Sequence, residues 1–574
     1  MDWAKEAEPA GGEQGEATPQ RHGRAVLRID FGGCGVLPLE RTKIAMQRSL
    51  GLVLIGWLLA SALGARLTAG QAAAGLAPRA PDLGPAPAAG QPATRPLPVG
   101  HSALEFDTAL LGTLATSGPT AQVSYFRSEH GIAPQAGPLP ERLEAPGALR
   151  WRVELDPGHS SPLLCAGKLF LTTYHPASRE LATVAMDPQS GQVLWRAPLD
   201  PQSVEQTHPI GSPATATPAC DGRRVFSFFG SYGLLCYDLS GAKLWEHRLG
   251  PFRDEYGAGS SPILVDGKVI LNEDHDLGSF LIAIEAATGK TLWQTARPEA
   301  VRSYATPALW TRNGRPEILV AGALELTAYN PANGARVWWV PGLARIVIPS
   351  PVPAGALVYM ASWAPGGDTT RRLELDPWTN ALAKWDKNKD GKLARAEIDD
   401  REVLDRFYRM DLNQDGFLDQ QEWERHAAVF HRAQNAVLAL RPGNERGELG
   451  PEAVVWKHQR GIPYVATPLV DQGRLWMVKE GGIVTKLDLA DGHPLQEERI
   501  PGFGNYFASP VTGDGKVFFA SEPGTVSIVA NQTEWRVLSS HDFHERIYAT
   551  PAIAGDRLYV RTEAALYCFQ GQQP

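Results

Sequence analysis

The chain has 574 residues, with 55 Lys and Arg against 63 Asp and Glu, and therefore a net charge of −8 at pH 7. Because it has no basic excess to neutralise phosphates, we predict no nucleic-acid partner. Hydrophobic residues make up 43% of the sequence, so most of the chain can bury a core and global disorder is excluded.

The first 147 residues are predicted to lie outside the main fold. An apolar run over 50–62 follows Arg41, Lys43 and Arg48, and it is too short to span a bilayer but is typical of a secretory signal. Since Met46 precedes this run, we expect residues 1–45 to be a spurious or disordered extension and 46–69 a signal peptide. If the signal segment is not cleaved, it would anchor the protein in the membrane, and we expect no other contact with the membrane. Residues 70–147, rich in Ala and Pro, are predicted to be a largely disordered linker, and the protein to be periplasmic or secreted.

From residue 148 onward, a Ser/Thr-Pro pair recurs before apolar segments. The eight pairs begin at Ser161, Thr217, Ser261, Thr306, Ser350, Thr467, Ser509 and Thr550. Successive prolines are 56, 44, 45, 44, 117, 42 and 41 residues apart, so a period in the low forties is interrupted once. Such a period is typical of a β-propeller, with one four-stranded blade in each repeat.

Most repeats also contain a Trp near their end. These residues are Trp195, Trp245, Trp293, Trp338, Trp456 and Trp535, and we interpret them as packing between blades, because each buries a large area. Blade six has no Trp in 494–498, so its packing should differ. The eighth repeat ends after three strands, and residues 148–155, with Trp151, are predicted to supply the fourth and close the ring. The predicted fold is an all-β, eight-bladed propeller of four-stranded antiparallel blades over 148–571.

The repeated pattern SP…DGK…A-x-D-x-x-x-G-x-x-x-W resembles the PQQ-like (pyrroloquinoline-quinone-type) β-propeller repeat over nearly all of 148–571. That family includes quinoprotein dehydrogenases and the outer-membrane assembly lipoprotein of the BAM machinery. The resemblance implies the fold and is less specific for activity, because the motif describes packing. The chain departs from the dehydrogenases in lacking an adjacent Cys-Cys pair, and from the lipoprotein in having no lipid-anchored Cys.

The long gap in blade five contains two matches to the loop D-x-[DN]-x-[DN]-G-x5-E. The predicted calcium ligands are Asp386, Asn388, Asp390, Lys392 and Glu397 in loop one, and Asp411, Asn413, Asp415, Phe417, Asp419 and Glu422 in loop two. Lys392 and Phe417 would contribute backbone carbonyls, and Gly391 and Gly416 would permit the bend. The pattern resembles a paired EF-hand, which we place at 376–432 and expect to hold two Ca²⁺ ions. Loop two offers four carboxylates against three, so we predict that it binds more tightly.

The insert is also predicted to have its own small core. A single short helix within 398–410 should leave loop one and enter loop two. The apolar residues expected to form the shared core are Trp378, Leu382, Trp385, Leu404, Phe407, Met410, Trp423 and Phe430.

A propeller presents ligands at its central channel, near the segments that enter the innermost strands. Those segments contain His159, Arg302, Tyr304, Arg345, Tyr464, Tyr506, Glu545, Arg546 and Tyr548. A ring of Arg and Tyr could hold an anionic or carbohydrate ligand, or these side chains could instead satisfy loop carbonyls and pack between blades. The sequence contains no GxSxG, HExxH or phosphate-binding glycine loop, so no catalytic residue is assigned.

The five cysteines include no CxxC pair, which argues against a zinc ribbon or a c-type haem. One disulfide stays possible, with its partners open. We therefore predict a monomeric, non-enzymatic calcium-binding propeller that binds a protein or carbohydrate at its face. The alternative is a PQQ-dependent quinoprotein dehydrogenase oxidising an alcohol or sugar, although no residue identified here supports a bound PQQ.

Overall fold

Eight four-stranded antiparallel sheets follow one another in the computed structural model, which describes residues 123–201, 204–205, 207–254, 256–364 and 373–571. The predicted all-β, eight-bladed propeller is confirmed, with a small helical insert in blade five. The predicted extension, the signal peptide and residues 70–122 of the linker lie outside the described residues. In the described ranges, no helix is both long and apolar enough to cross a membrane.

Within each blade the strands run from the channel outward. Blades one to four comprise Leu163–Cys165, Lys168–His175, Glu180–Met186 and Val193–Leu199; Ala219–Cys220, Arg224–Phe228, Leu234–Asp238 and Lys243–His247; Ile263–Val265, Lys268–Glu273, Phe280–Glu285 and Thr291–Ala296; and Ala308–Arg312, Arg315–Gly322, Glu325–Tyr329 and Arg336–Pro341. Blades five to eight comprise Val352–Ala354, Leu357–Ser362, Ala436–Leu440 and Val454–His458; Leu469–Asp471, Arg474–Lys479, Ile483–Asp488 and Pro494–Arg499; Val511–Gly513, Lys516–Ala520, Thr525–Ala530 and Val537–Asp542; and Ala552–Ala554, Arg557–Arg561, Ala565–Gln570 and Leu149–Glu154. Gly447–Glu448 extends blade four, and two short 3-10 helices lie at Gly230–Tyr232 and Pro451–Ala453.

The ring closes as predicted, by pairing the start of the propeller with its end. Leu149–Glu154 is antiparallel to Ala565–Gln570, with Trp151 opposite Cys568. The indole of Trp151 also lies 5.9 Å from the ring of Tyr559 in the same blade. Because the last blade takes its outer strand from the beginning of the ring, no blade is left incomplete.

At five blade junctions, the Trp of one blade packs on the turn glycine of the next. A Cβ added at Gly241 would lie 2.8 Å from Trp195, and Trp195 Nε1 donates to the Leu239 carbonyl at 3.0 Å. The same contact pairs Trp151 with Gly191, Trp245 with Gly289, Trp293 with Gly334, and Trp456 with Gly492. The predicted packing between blades is confirmed, and the turn glycine is needed to leave room for the indole.

Blades six and seven depart from this arrangement. Gln496 and Ser539 occupy the strand position that Trp holds elsewhere, so Trp535 does not lie at the usual strand position. Trp535 precedes the outer strand of blade seven and packs against Trp476 of blade six, with ring centroids 6.2 Å apart. It also exchanges two hydrogen bonds with the Gln496 side chain. The space of the missing Trp is thus filled from the neighbouring blade, which confirms that blade six packs differently.

Residues 123–147, which the sequence places in the linker, pack against the propeller. Ile132–Ala133 pairs in parallel with Val511–Gly513 of blade seven. Leu139 and Leu143 are buried between blades seven and eight, beside the position where Ser539 replaces Trp. These buried leucines offset the cost of ordering a segment that its composition alone marks as a linker. The linker prediction is therefore wrong for these residues.

The open question of a disulfide is also resolved. Cys165 and Cys220, on the innermost strands of blades one and two, form a disulfide. Cys236 and Cys568 are buried thiols, and burial raises the pKa of Cys236 to about 12. Neither thiol is therefore activated as a nucleophile at neutral pH.

We expect Gly289→Ala to destabilise the protein more than Gly267→Ala. Both glycines are in blade three with nearly equal φ, +76° and +72°, so the backbone strain of the two substitutions is matched. The added Cβ would lie 2.7 Å from Trp245 at position 289 and would meet nothing within 4 Å at position 267. Overpacking should therefore cost Gly289→Ala a further ~1–3 kcal/mol of unfolding free energy. Chemical denaturation of the two variants measures this difference, and equal losses would contradict the Trp–Gly contact.

Candidate functional site

The Ser and Thr of the eight Ser/Thr-Pro pairs form a ring around the channel. The backbone N–H of Ser161 donates to Thr217 Oγ1 of the next blade at 2.9 Å. Five further bonds of 3.0 Å continue the ring, from Thr217 to Ser261, Ser261 to Thr306, Ser350 to Thr467, Thr467 to Ser509 and Ser509 to Thr550. The sequence shows the repeated motif, but this role was missed because the partners are about one blade apart along the chain.

All eight ring residues line a cavity of about 190 Å³ in the channel. Its aromatic side chains are Phe126, His159, Tyr256, Tyr304, Tyr464, Phe507 and Tyr548. His159 stacks on Tyr548 with centroids 4.0 Å apart, and Phe507 stacks on the same tyrosine at 5.5 Å. Four of the predicted channel residues, His159, Tyr304, Tyr464 and Tyr548, are therefore brought together.

The N-terminal segment reaches the channel as well. Phe126 lines both this cavity and a second one of about 20 Å³ that continues along the innermost strands. Its neighbour Arg127 donates to the carbonyls of Pro468 and Pro510, at 3.0 and 3.1 Å. These bonds fix the segment to blades six and seven at the channel.

The other predicted channel residues do not line the cavity: Arg302, Arg345, Tyr506, Glu545 and Arg546. Arg302 pairs with Asp276, Glu545 accepts from Arg152 at 3.3 Å, and the Tyr506 hydroxyl donates to the Gly502 carbonyl at 2.6 Å. Of the two interpretations that the sequence left open, Arg302, Glu545 and Tyr506 therefore follow the second, because neighbouring charged groups or carbonyls hold these side chains. Among the described residues, no Asp, Glu, Lys or Arg side chain lines the cavity.

His159 contributes no charge to the cavity at neutral pH. Burial, together with the nearby Arg561 guanidinium, lowers the pKa of this imidazole to about 3. A neutral His beside four tyrosines and a ring of hydroxyls makes the cavity uncharged.

A buried ionic cluster lies behind Tyr304, and the sequence analysis missed it. The Tyr304 hydroxyl donates to Asp254 Oδ1 at 2.7 Å. His275 Nε2 lies 3.0 Å from Glu273 Oε2, and its ring stacks on Phe252 at 3.9 Å. Burial lowers the pKa of His275, but Asp254 and Glu273 outweigh that effect and raise it to about 10. The run of polar residues at 272–276, directly after an apolar strand, could have indicated this cluster from the sequence.

Three helices form the insert in the described part of blade five: α1 (Trp378–Trp385), α2 (Arg401–Met410) and α3 (Gln420–Arg432). As predicted, one helix, α2, links the two loops. The loops pair through Leu393–Ala394 and Phe417–Leu418, with Leu393 opposite Leu418. Seven of the predicted core residues, Trp378, Leu382, Trp385, Leu404, Phe407, Met410 and Trp423, pack together, while the side chain of Phe430 lies outside the described residues.

Both loops of the insert curl around their first carboxylate. Asp386 Oδ2 accepts from Gly391 N, and Asp411 Oδ2 accepts from Gly416 N, each at 3.0 Å. The last carboxylate of each loop points back to its beginning: Glu397 Oε1 accepts from the N–H of Lys387 and Asn388, and Glu422 Oε1 from that of Leu412 and Asn413. Positions 1 and 12 are therefore brought together in each loop.

The remaining predicted ligands make local contacts. Asn388 Oδ1 accepts from Asp390 N and Asn413 Oδ1 from Asp415 N, while Lys392 and Phe417 donate their own N–H to Asp390 and Asp415. Lys392 Nζ also reaches across to Asp415 Oδ2 at 3.0 Å, and Asp419 caps α3. Among the described residues, no group of three His, Cys, Asp or Glu side chains is arranged to hold a metal, since the loop carboxylates bond to backbone amides.

The insert lies on the same side of the propeller as the loops that connect successive blades. The insert connects the second and third strands of blade five, whereas the loops between blades connect a fourth strand to the next first strand. Because strand direction alternates in an antiparallel blade, the second and fourth strands end at the same face. Arg253 Nη1 donates to the Asn413 carbonyl in loop two at 2.7 Å, and Arg425 of α3 donates to the Pro298 carbonyl. These bonds attach the insert to the loops that follow blades two and three.

Comparison with known families and structures gives the following matches. The family model described as outer membrane protein assembly factor BamB matches residues 178–345 and 452–572, half of the chain. BamB from Moraxella catarrhalis is similar at 14% identity and a TM-score of 0.45, over 74% of this chain and 99% of that chain. A europium-containing methanol dehydrogenase is similar at 11% identity and a TM-score of 0.41, over 74% and 93%. No curated protein matches the chain significantly.

Proposed function

The chain belongs to the PQQ-like β-propeller family described as outer membrane protein assembly factor BamB, and we propose that it is a non-enzymatic, calcium-binding propeller that acts as a binding or scaffold protein. The proposal also draws on the helical insert of blade five, which contains two oxygen-rich loops. We place it in the periplasm or outside the cell. Calcium at millimolar concentration outside the cell would fill even weak sites, so its role would be structural.

The observation that carries this proposal is the matched curl of the two loops. In each loop, the Asp at position 1 accepts a hydrogen bond from a glycine with positive φ, Gly391 or Gly416. The Glu at position 12 accepts one from the residue that follows this Asp, so the two carboxylates lie at the same end of the loop. The donor set consists of carboxylate, amide and carbonyl oxygens, which is the chemistry that Ca²⁺ prefers. The residues thus fit Ca²⁺, which would be held by Asp386, Asn388, Asp390, Lys392 and Glu397 in loop one and by Asp411, Asn413, Asp415, Phe417, Asp419 and Glu422 in loop two.

The alternative, a quinoprotein dehydrogenase, is less well supported. Pyrroloquinoline quinone is a tricarboxylate, and among the described residues the cavity has no cationic side chain to pair with it. Burial of unpaired carboxylates is costly, so this cavity does not fit the cofactor. His159, which could otherwise carry a positive charge, is neutral at pH 7 because burial lowers its pKa to about 3.

The proposal is tested on the purified protein by titration calorimetry with CaCl₂ and by absorption spectroscopy after addition of pyrroloquinoline quinone. We expect two bound Ca²⁺ ions, no stoichiometric uptake of the quinone, and no turnover of alcohols or sugars with an artificial electron acceptor. Absence of calcium binding would remove the central claim. Quinone uptake with turnover would instead establish the dehydrogenase.

A further inference from the structure

We propose that the channel cavity binds one uncharged monosaccharide unit. This inference rests on the proposed role as a binding protein and adds the ligand class. The cavity, about 190 Å³, is smaller than the roughly 300–1,000 Å³ of pockets that hold drug-sized ligands, so a single ring is the appropriate size.

The hydroxyl ring supplies hydrogen-bond donors. Thr217, Thr467 and Ser509, for example, each use an oxygen lone pair to accept a backbone N–H of the preceding blade. Among the described residues, the hydroxyls of Thr217, Thr467 and Ser509 accept these bonds and donate none, so their protons are available to the cavity that they line. A ligand with several oxygen acceptors around one ring would satisfy them.

The aromatic walls supply apolar faces. Phe507, Tyr548 and His159 stack in sequence, and Tyr256 meets Tyr304 edge to face at 5.8 Å. A sugar ring has C–H faces that pack on aromatic rings and a hydroxylated edge that hydrogen-bonds. The combination of stacked rings and a circle of hydroxyls matches both parts of such a molecule.

The charges around the cavity disfavour an ionic ligand. Arg302, one of the arginines predicted near the channel, pairs with Asp276 outside the cavity. The carboxylates of the buried ionic cluster, such as Asp254, lie behind Tyr304. A carboxylate or ammonium group in the cavity would lose water without gaining a countercharge, which is costly. Of the two ligand classes left open by the sequence, the structure thus favours the carbohydrate over the anion.

The test is titration calorimetry of the calcium-loaded, full-length protein with methyl glycosides of glucose, galactose, mannose and N-acetylglucosamine, and with glucuronate and galacturonate. We expect at least one neutral glycoside to bind in a 1:1 ratio, with the uronates at least tenfold weaker. Binding of none of the glycosides, or preferential binding of a uronate, would overturn the inference. If two Ca²⁺ ions still bind in that case, the proposed calcium-binding function stands and only the ligand assignment fails.

Two tyrosine variants locate the site. Tyr548→Leu removes a stacked wall and should weaken glycoside binding at least tenfold, whereas Tyr408→Leu, on the insert and 59% exposed, should leave it unchanged. If Tyr548→Leu does not fold, a second variant is available at Ile348, which also lines the cavity. Ile348→Lys, which places a charge there, should abolish binding. Unchanged affinity in a folded cavity variant would contradict binding at this site.

Discussion

Replacement of Arg297 by Met is expected to lower the free energy of unfolding by about 3–5 kcal/mol, because it leaves the buried Asp274 carboxylate without its partner. Arg297 and Asp274 are each 2% exposed or less, and the guanidinium holds both carboxylate oxygens, with contacts of 2.7 and 3.0 Å. The Arg297 guanidinium also donates to the Tyr329 hydroxyl, so the pair joins two blades. Chemical denaturation in the presence of calcium measures the loss.

Two controls separate the unpaired charge from lost packing. The double variant Arg297→Met with Asp274→Leu should recover most of the loss, since it leaves no buried charge unpaired. Lys243→Met breaks the ion pair with Glu246 on an exposed strand and should cost no more than about 1 kcal/mol. If the double variant were as unstable as Arg297→Met, the loss would come from the missing side-chain volume instead.

The fold could be predicted because a propeller repeats the same local solution. Most blade junctions use a turn glycine and an indole that packs on it, as Gly241 and Trp195 do, so the two residue types recur at a regular spacing along the sequence. Closure could be predicted from the missing fourth strand of the eighth repeat and from Trp151. In blade seven the predicted packing between blades holds, but Trp535 provides it from before the strand, while Ser539 takes the strand position.

The site was only partly predictable, because side-chain direction in loops follows no period. His159 and Tyr548 point into the channel, but Arg302 turns to Asp276, a residue from another loop. The packed segment at 123–147 was missed because a few buried leucines, such as Leu139, decide its order against the composition of the whole linker. Contacts that join distant residues, rather than local pattern, set these features.

If the two loops bind calcium as proposed, loss of both loops should remove any stabilisation by calcium altogether. Asp386→Ala and Asp411→Ala each delete the first carboxylate of a loop. These carboxylates accept the hydrogen bonds of the loop glycines, Gly391 and Gly416. At a free concentration 100 times Kd, one bound ion adds about 2.7 kcal/mol to the stability of the element that binds it, so the double variant should show no shift with CaCl₂. Thermal unfolding with and without CaCl₂, followed by calorimetry, measures this shift, and the insert has its own core around Trp378, Trp385 and Trp423.

The single variants should differ in a predictable order. Loop two adds the Asp419 carboxylate, so Asp411→Ala should lose the tighter site and more stabilisation at low calcium than Asp386→Ala. Asp405→Ala, the same substitution at an exposed position of α2 outside both loops, should respond to calcium like the unmodified protein. A larger loss from Asp386→Ala would contradict the order. If Asp405→Ala lost as much as either loop variant, the stabilisation would come from the overall negative charge of the insert rather than from the loops. Because α2 both leaves loop one and enters loop two, we also expect each ion to raise the affinity for the other.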